Sequence, residues 1–132
     1  HPRDLPSFPT RRSSDLQMAP TTLPQQTTST SPRGRNVAKD GYPIRMTELL
    51  SGLEGVAYAA RVAVNSPKHV LQAGKVIRQA FKTQLDGKGF AFVEVLSTCP
   101  TNWGMDPLAA NARVAEEMIP YFPLGVFKDV TA

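Results

Sequence analysis

Cysteine and tryptophan occur once each in these 132 residues, as Cys99 and Trp103. A single thiol excludes an intrachain disulfide framework and fits a reducing compartment. It also excludes a self-contained thiolate cluster or a zinc site of the usual spacing, since both draw several ligands from the chain. No apolar run approaches the roughly 20 residues of a membrane-spanning helix. The first residues are polar and rich in proline, without the apolar stretch of a signal peptide. A cytoplasmic chain with no membrane partner is the expectation. Charge of one sign is also scarce: 15 Lys+Arg against 11 Asp+Glu leave a net +4, and no basic run marks one face. Phosphate or groove binding needs clustered charge, so nucleic acid is not an expected partner. The hydrophobic content of 41% is ordinary, and the length allows one modest domain with a small core.

What is present is unevenly spread. Seven of the 12 prolines fall in residues 1–43, and residues 17–32 hold ten Gln, Ser or Thr. Such a segment buries too little apolar surface to offset its ordering entropy. It is either disordered or a long loop that orders against something else, and loops of that length tend to be functional. Ser7 to Leu16 reads as the translation of a common sequencing-adaptor oligonucleotide, so residues 1–16 are set apart as a scar foreign to the fold. The expected organisation is therefore a scar over 1–16, a polar loop over 17–43 and an α/β partial domain over 44–132.

From Tyr42 onward helix and strand alternate. Met46–Leu53 reads as a short helix, and Val56–Val64 as a buried strand. Ser66 and Pro67 have the chemistry of an N-cap and first helical residue. The spacing of Val70, Ala73, Ile77, Ala80, Phe81 and Gln84 or Leu85 predicts one apolar face on a helix running to about Leu85. Asp86-Gly87-Lys88-Gly89 stops that helix, and Phe90–Leu96 is the next strand. Strand, long helix and strand make a crossover unit with parallel neighbours. A last helix is expected from Asp106-Pro107 to about Met118, followed by an apolar, proline-broken tail, Ile119–Leu124. Two strands make a poor sheet, which points to the end of a larger doubly wound domain.

Open α/β domains place their chemistry just past the carboxyl ends of strands. The turn Ser97-Thr98-Cys99-Pro100-Thr101-Asn102 occupies such a place. Taken alone, Cys99 is either a small buried hydrophobe or a ligand, and Thr98, Thr101 and Asn102 can hydrogen-bond a bound group. Trp103 reads as a packing anchor. Glu94, within an apolar strand, points either inward with a functional role or outward at a sheet edge. His69 reads as exposed in a first helical turn. Arg33-Gly34-Arg35 either meets phosphate or forms a solvated loop.

Several blocks together resemble one family. Gln17-Met18-Ala19-Pro20-Thr21-Thr22-Leu23, Thr27–Arg35 and Gly41-Tyr42-Pro43-Ile44 are similar to the loop after the thiamine-diphosphate site in 2-oxoacid:ferredoxin oxidoreductase β subunits. Val56–Val62, Ser66-Pro67-Lys68-His69, Phe92–Gly104 and Tyr121–Asp129 resemble later blocks, so the likeness spans residues 17–130. The flavour is that of the 2-oxoglutarate subgroup, with the branched-chain 2-oxoisovalerate type as the alternative. A small basic module that binds protein or nucleic acid is the rival from another class.

The resemblance implies an α/β fold: the C-terminal part of a thiamine-diphosphate-binding, doubly wound parallel-sheet domain, preceded by a long irregular loop. It implies oxidative decarboxylation of a 2-oxoacid to an acyl-coenzyme A, with electrons passing through a [4Fe–4S] cluster to ferredoxin. Cys99 matches one of four cluster ligands. Gln17, Thr21 and Thr22 stand nearest the thiamine site, whose Mg²⁺-binding segment would lie upstream. The implied partners are an α subunit, possible γ and δ subunits, ferredoxin, coenzyme A and the 2-oxoacid. A chain lacking the other ligands is expected to be inactive by itself.

Overall fold

The computed structural model describes residues 21–131. The adaptor-like stretch 1–16 and Gln17 lie outside the described residues. Two compact units emerge: residues 21–44 with Asn102–Gly104, and Arg45–Thr101 continued from Met105.

In the first unit, short-range hydrogen bonds stand in for a core. Thr28 and Ser31 exchange backbone bonds of 3.1 and 3.0 Å, and the Gln25 amide donates to the Arg35 carbonyl at 2.9 Å. The Leu23 amide donates to Gln26 Oε1 at 2.8 Å, which ties down a buried side-chain amide. Gly34 adopts a φ of +73°, and a Cβ there would stand 2.7 Å from the Gln25 carbonyl oxygen. Glycine is therefore required where these two strands of loop cross. Asn36 caps a single turn, α1 (Val37–Asp40), by accepting from the Ala38 amide.

The second unit is built on a sheet. Its central strand, β1 (Val56–Ala63), is buried at all eight positions. Its outer strands are β2 (Phe90–Leu96) and β3 (Gly125–Asp129), in the order β2-β1-β3. Between β1 and β2 runs α3 (Pro67–Leu85), whose start is capped by the Ser66 hydroxyl accepting from the His69 amide, with Pro67 in the first turn. This is the expected crossover, and β1 and β2 are parallel as predicted. On one face, Tyr58, Ala60 and Val62 pack against Ala73, Val76 and Ala80 of α3. The other face is covered by α2 (Met46–Ser51), through Thr47 and Glu48, so helices lie on both sides of the sheet.

Three expectations change. The sheet is mixed rather than wholly parallel, because β3 pairs antiparallel with β1. Its residues follow the apolar tail Ile119–Leu124, which closes the fold by leading into a strand. Of the six positions predicted for the apolar face of α3, two are buried. Ala73 and Ala80 are buried, whereas Phe81 is 64% and Leu85 86% exposed, and Val76 and Thr83 take their place. Small side chains let the helix approach the alanine-rich strand closely. Third, the last helix reaches Met118 as expected but does not keep α-bonding that far. The Asp106 carboxylate caps α5 (Pro107–Arg113), which follows the single turn α4 (Pro100–Trp103). A wider π turn, Val114–Met118, then precedes α6 (Ile119–Tyr121). Pro120 has no amide hydrogen, so regular α-bonding cannot continue through it.

Candidate functional site

The carboxyl ends of parallel neighbours share one edge of a sheet. At the end of β1, the Val64 amide donates to the Leu96 carbonyl at 3.2 Å, which holds the two exits together. Beyond it, His69 Nδ1 and Asn65 Oδ1 lie 2.6 Å apart. An amide oxygen only accepts, so Nδ1 carries the proton and Nε2 is left as the other ring position. Asn111 Nδ2 donates to the Asn65 carbonyl at 2.7 Å and fixes this corner from α5. Beside it lies a cleft of about 250 Å³ whose walls include Val62, Ala63, His69, Val76 and Val126.

At the end of β2 stands the turn that the sequence singled out. Cys99 is exposed and unpaired in any disulfide. Its neighbour Thr98 is half-buried, and the Pro100 carbonyl accepts from the Met105 amide at 3.0 Å, closing the turn toward α5. The thiol is thus presented at the strand end rather than packed as a small hydrophobe. Among the described residues, however, no three His, Cys, Asp or Glu side chains converge on a metal position. The donor set present does not by itself fit a [4Fe–4S] cluster or a diphosphate-bound Mg²⁺, which need several ligands.

Of the residues expected near thiamine, Thr22 is buried and Thr21 half-buried, both in the first unit, whereas Cys99 falls in the second. Arg33 and Arg35 diverge. Arg35 is buried, with Nη1 donating to the Gly41 carbonyl at 3.0 Å, while Arg33 is exposed beside Lys39 in a cleft of about 560 Å³.

The strongest electrostatic feature went unread in the sequence. Arg61 is completely buried at the centre of the sheet. Its Nε donates to Glu94 Oε2 at 2.8 Å, and Nη1 donates to Glu48 Oε1 at 3.0 Å and to the Pro123 carbonyl at 3.1 Å. Nη2 completes a forked pair with Glu48, and Thr47 Oγ1 donates to Glu94. The guanidinium also lies 5.3 Å from the ring centres of both Phe122 and Phe127. Hydrogen bonds from Arg61 lower the Glu48 pKa, against the opposing effect of burial. Burial disfavours the Arg61 charge, but hydrogen bonds to Glu48 and Glu94 outweigh it, and its pKa rises. Glu94 therefore points inward as a structural counter-charge. The available signal was an opposite charge inside each of two neighbouring apolar strands, at positions that the parallel register pairs, Arg61 with Glu94.

No protein-family model matches the chain. No solved structure matches it either. Curated proteins do. Ketoisovalerate oxidoreductase subunit VorA of Methanothermobacter thermautotrophicus is 46% identical over 116 residues, 88% of this chain and 24% of that protein. The VorA subunit of Methanothermobacter marburgensis is 45% identical over 113 residues. Pyruvate synthase subunit PorB of Pyrococcus furiosus is 33% identical over 88 residues, 67% of this chain and 24% of that protein. The chain thus spans about a quarter of the length of the relatives it matches. Their names carry ketoisovalerate and pyruvate rather than 2-oxoglutarate. Over most of its own length, then, the chain is similar to part of oxoacid oxidoreductase subunits, which supports the oxoacid:ferredoxin oxidoreductase class expected from the sequence.

Proposed function

We propose that this chain serves within a 2-oxoisovalerate:ferredoxin oxidoreductase, as part of the subunit that handles thiamine diphosphate and the electron-transfer cluster. The observation that carries this reading is the 46% identity to a ketoisovalerate oxidoreductase subunit across 88% of the chain. It favours the branched-chain reading over the 2-oxoglutarate one. In such an enzyme thiamine diphosphate would supply the carbanion equivalent for decarboxylation, and coenzyme A would accept the acyl group. On this reading the reaction belongs to a larger assembly, and the chain alone is inactive. Within that assembly Cys99 is one cluster ligand, and Gln17, Thr21 and Thr22 line the approach to thiamine diphosphate. An α subunit and ferredoxin are the partners, and the cytoplasm is the compartment.

The test is a substrate panel on the assembled enzyme carrying this chain, read as viologen or ferredoxin reduction. The 2-oxoisovalerate rate should exceed the rates with 2-oxoglutarate and pyruvate. A preference for 2-oxoglutarate would overturn the branched-chain reading. Cys99→Ser should abolish the paramagnetic signal of one reduced cluster, and an unchanged spectrum would remove Cys99 from the ligand set. Salt-dependent binding of the chain to RNA or DNA would instead favour the small basic module.

A further inference from the structure

The cleft beside His69 is not used by the proposed activity, and its chemistry is one-sided. Its walls are aliphatic, with Val62 from β1, Val76 from α3, and Leu124 and Val126 from the entry to β3. No carboxylate lines it. The Arg61 side chain does, whereas its two counter-charges, Glu48 and Glu94, lie outside the lining.

Two polar groups meet this apolar space. His69 and Gln72 both line it, three residues apart and so on one face of α3. Neither His69 Nε2 nor the Gln72 side-chain amide has a partner among the described residues. The histidine is held in place: Nδ1 donates to Asn65 Oδ1 at 2.6 Å, and the His69 amide donates to Ser66 Oγ at 3.3 Å. Asn65 is itself fixed by the 2.7 Å bond from Asn111 Nδ2 to its carbonyl. Because Nδ1 keeps its proton for Asn65, a proton gained by the ring goes to Nε2.

A ring protonated there donates from Nε2, and the Gln72 amide donates beside it. The matching occupant has an acceptor-only head, an anionic charge where no acid lines the wall, and a short apolar body. A volume of about 250 Å³ stands just below the usual range of ligand pockets, about 300–1,000 Å³, so that body holds a few carbons.

We propose that the cleft at the end of β1 binds a short aliphatic carboxylate, with its oxygens on His69 Nε2 and the Gln72 amide and its carbons against Val62, Val76 and Val126. One proton from solvent moves onto Nε2 as the carboxylate enters, and no covalent bond of the ligand changes. The site needs neither a cofactor nor oxoacid turnover, so it goes beyond the proposed activity.

Titration of the full chain with isovalerate, followed by nuclear magnetic resonance with nitrogen-15 in the histidine rings, tests the site. Saturable shifts should gather at the cleft, and Nε2 should pass from the signal of a bare ring nitrogen to that of a protonated one. Isovaleramide has the same shape without the charge and should bind about 10-fold more weakly. Acetate lacks the aliphatic body and should lose at least about as much. His69→Phe keeps a ring without Nε2, and Gln72→Ala removes the amide from an exposed helical position; each should weaken isovalerate about 10-fold. Val126 is 51% exposed, so Val126→Phe should fill the cleft and abolish saturation without lowering the unfolding temperature.

Equal affinity for isovaleramide would overturn the carboxylate, and equal affinity for acetate would mean an adventitious ion only. Shifts that never saturate, or an Nε2 signal that stays unprotonated, would overturn the site. Should His69→Phe fail to fold, unchanged binding in Gln72→Ala and Val126→Phe would overturn it as well. An assembled enzyme without oxoacid turnover would sink the proposed activity and leave this site standing.

Discussion

Arg61 has no solvent contact, so its free energy depends on the two carboxylates, the Pro123 carbonyl and the flanking rings that replace water. Removing the cation alone would leave the largely shielded Glu94 carboxylate without its counter-charge, facing the partly exposed Glu48. Arg61→Met should therefore cost about 3–5 kcal/mol in chemical denaturation, the range for breaking one side of a buried pair. Replacing Arg61, Glu48 and Glu94 together by apolar residues of similar volume should restore most of it. A small loss in the single variant would show that water reaches the network. The pH dependence has a definite sign. The Glu48 pKa is lowered from 4.5 in the folded chain. Its contribution is then complete above about 4.5 and is lost as pH falls through the lowered value. Glu48→Gln should flatten the acid side of the stability profile, and an unchanged acid limb would refute the coupling. Tyr58 has the opposite sign. Burial, followed by the nearby Asp129 charge, raises its pKa above 10.0. The stability tied to its neutral form is present below 10.0 and disappears as pH rises through the raised value. Tyr58→Phe should remove that alkaline loss in thermal melts taken on either side of pH 10.

At the scale of elements, local chemistry was legible and long-range pairing was not. The start of α3 could be read from Ser66-Pro67 and its end from Asp86-Gly87, because capping acts within a few residues. The parallel pairing of β1 and β2 followed from the length of the crossover. The strand β3 was not legible: five residues, with Val126 and Phe127 adjacent, carry almost no period-two signal. Arg61 escaped notice because its partners stand 13 and 33 residues away. The turn entering β2 shows how tight these junctions are. Gly89 has a φ of +136°, and a Cβ there would lie 2.7 Å from the Gly55 carbonyl oxygen, the acceptor for the Phe90 amide. Gly89→Ala combines backbone strain with a steric conflict at that bond, so a loss of about 1–3 kcal/mol is expected in denaturant titration. Gly87→Ala keeps a positive φ but meets nothing within 4 Å, so it should cost less. Equal losses would mean that the approach to Gly55 is not tight in solution.

For the whole molecule, the apolar surface is in excess of what the small core takes in. Leu49, Leu71, Phe81, Leu85 and Leu108 are each more than half exposed, and Tyr58, Ala60 and Val62 of β1 already satisfy the packed side of α3. Scattered exposed leucines are normal, but Leu71, Phe81 and Leu85 all lie on α3, and Phe81 lines an apolar groove against β2. The chain by itself should bind an anilinonaphthalene dye while still unfolding cooperatively. Changing Leu71, Phe81 and Leu85 together to Lys should lower the dye signal. Because each side chain is mostly in water, stability should shift by no more than about 0.5 kcal/mol per site. If the triple variant instead lost its cooperative transition, those residues would be core in solution. If dye binding and cooperativity both persisted unchanged, the exposed surface would lie elsewhere, with Leu49 and Leu108 on α2 and α5 as the next positions to change.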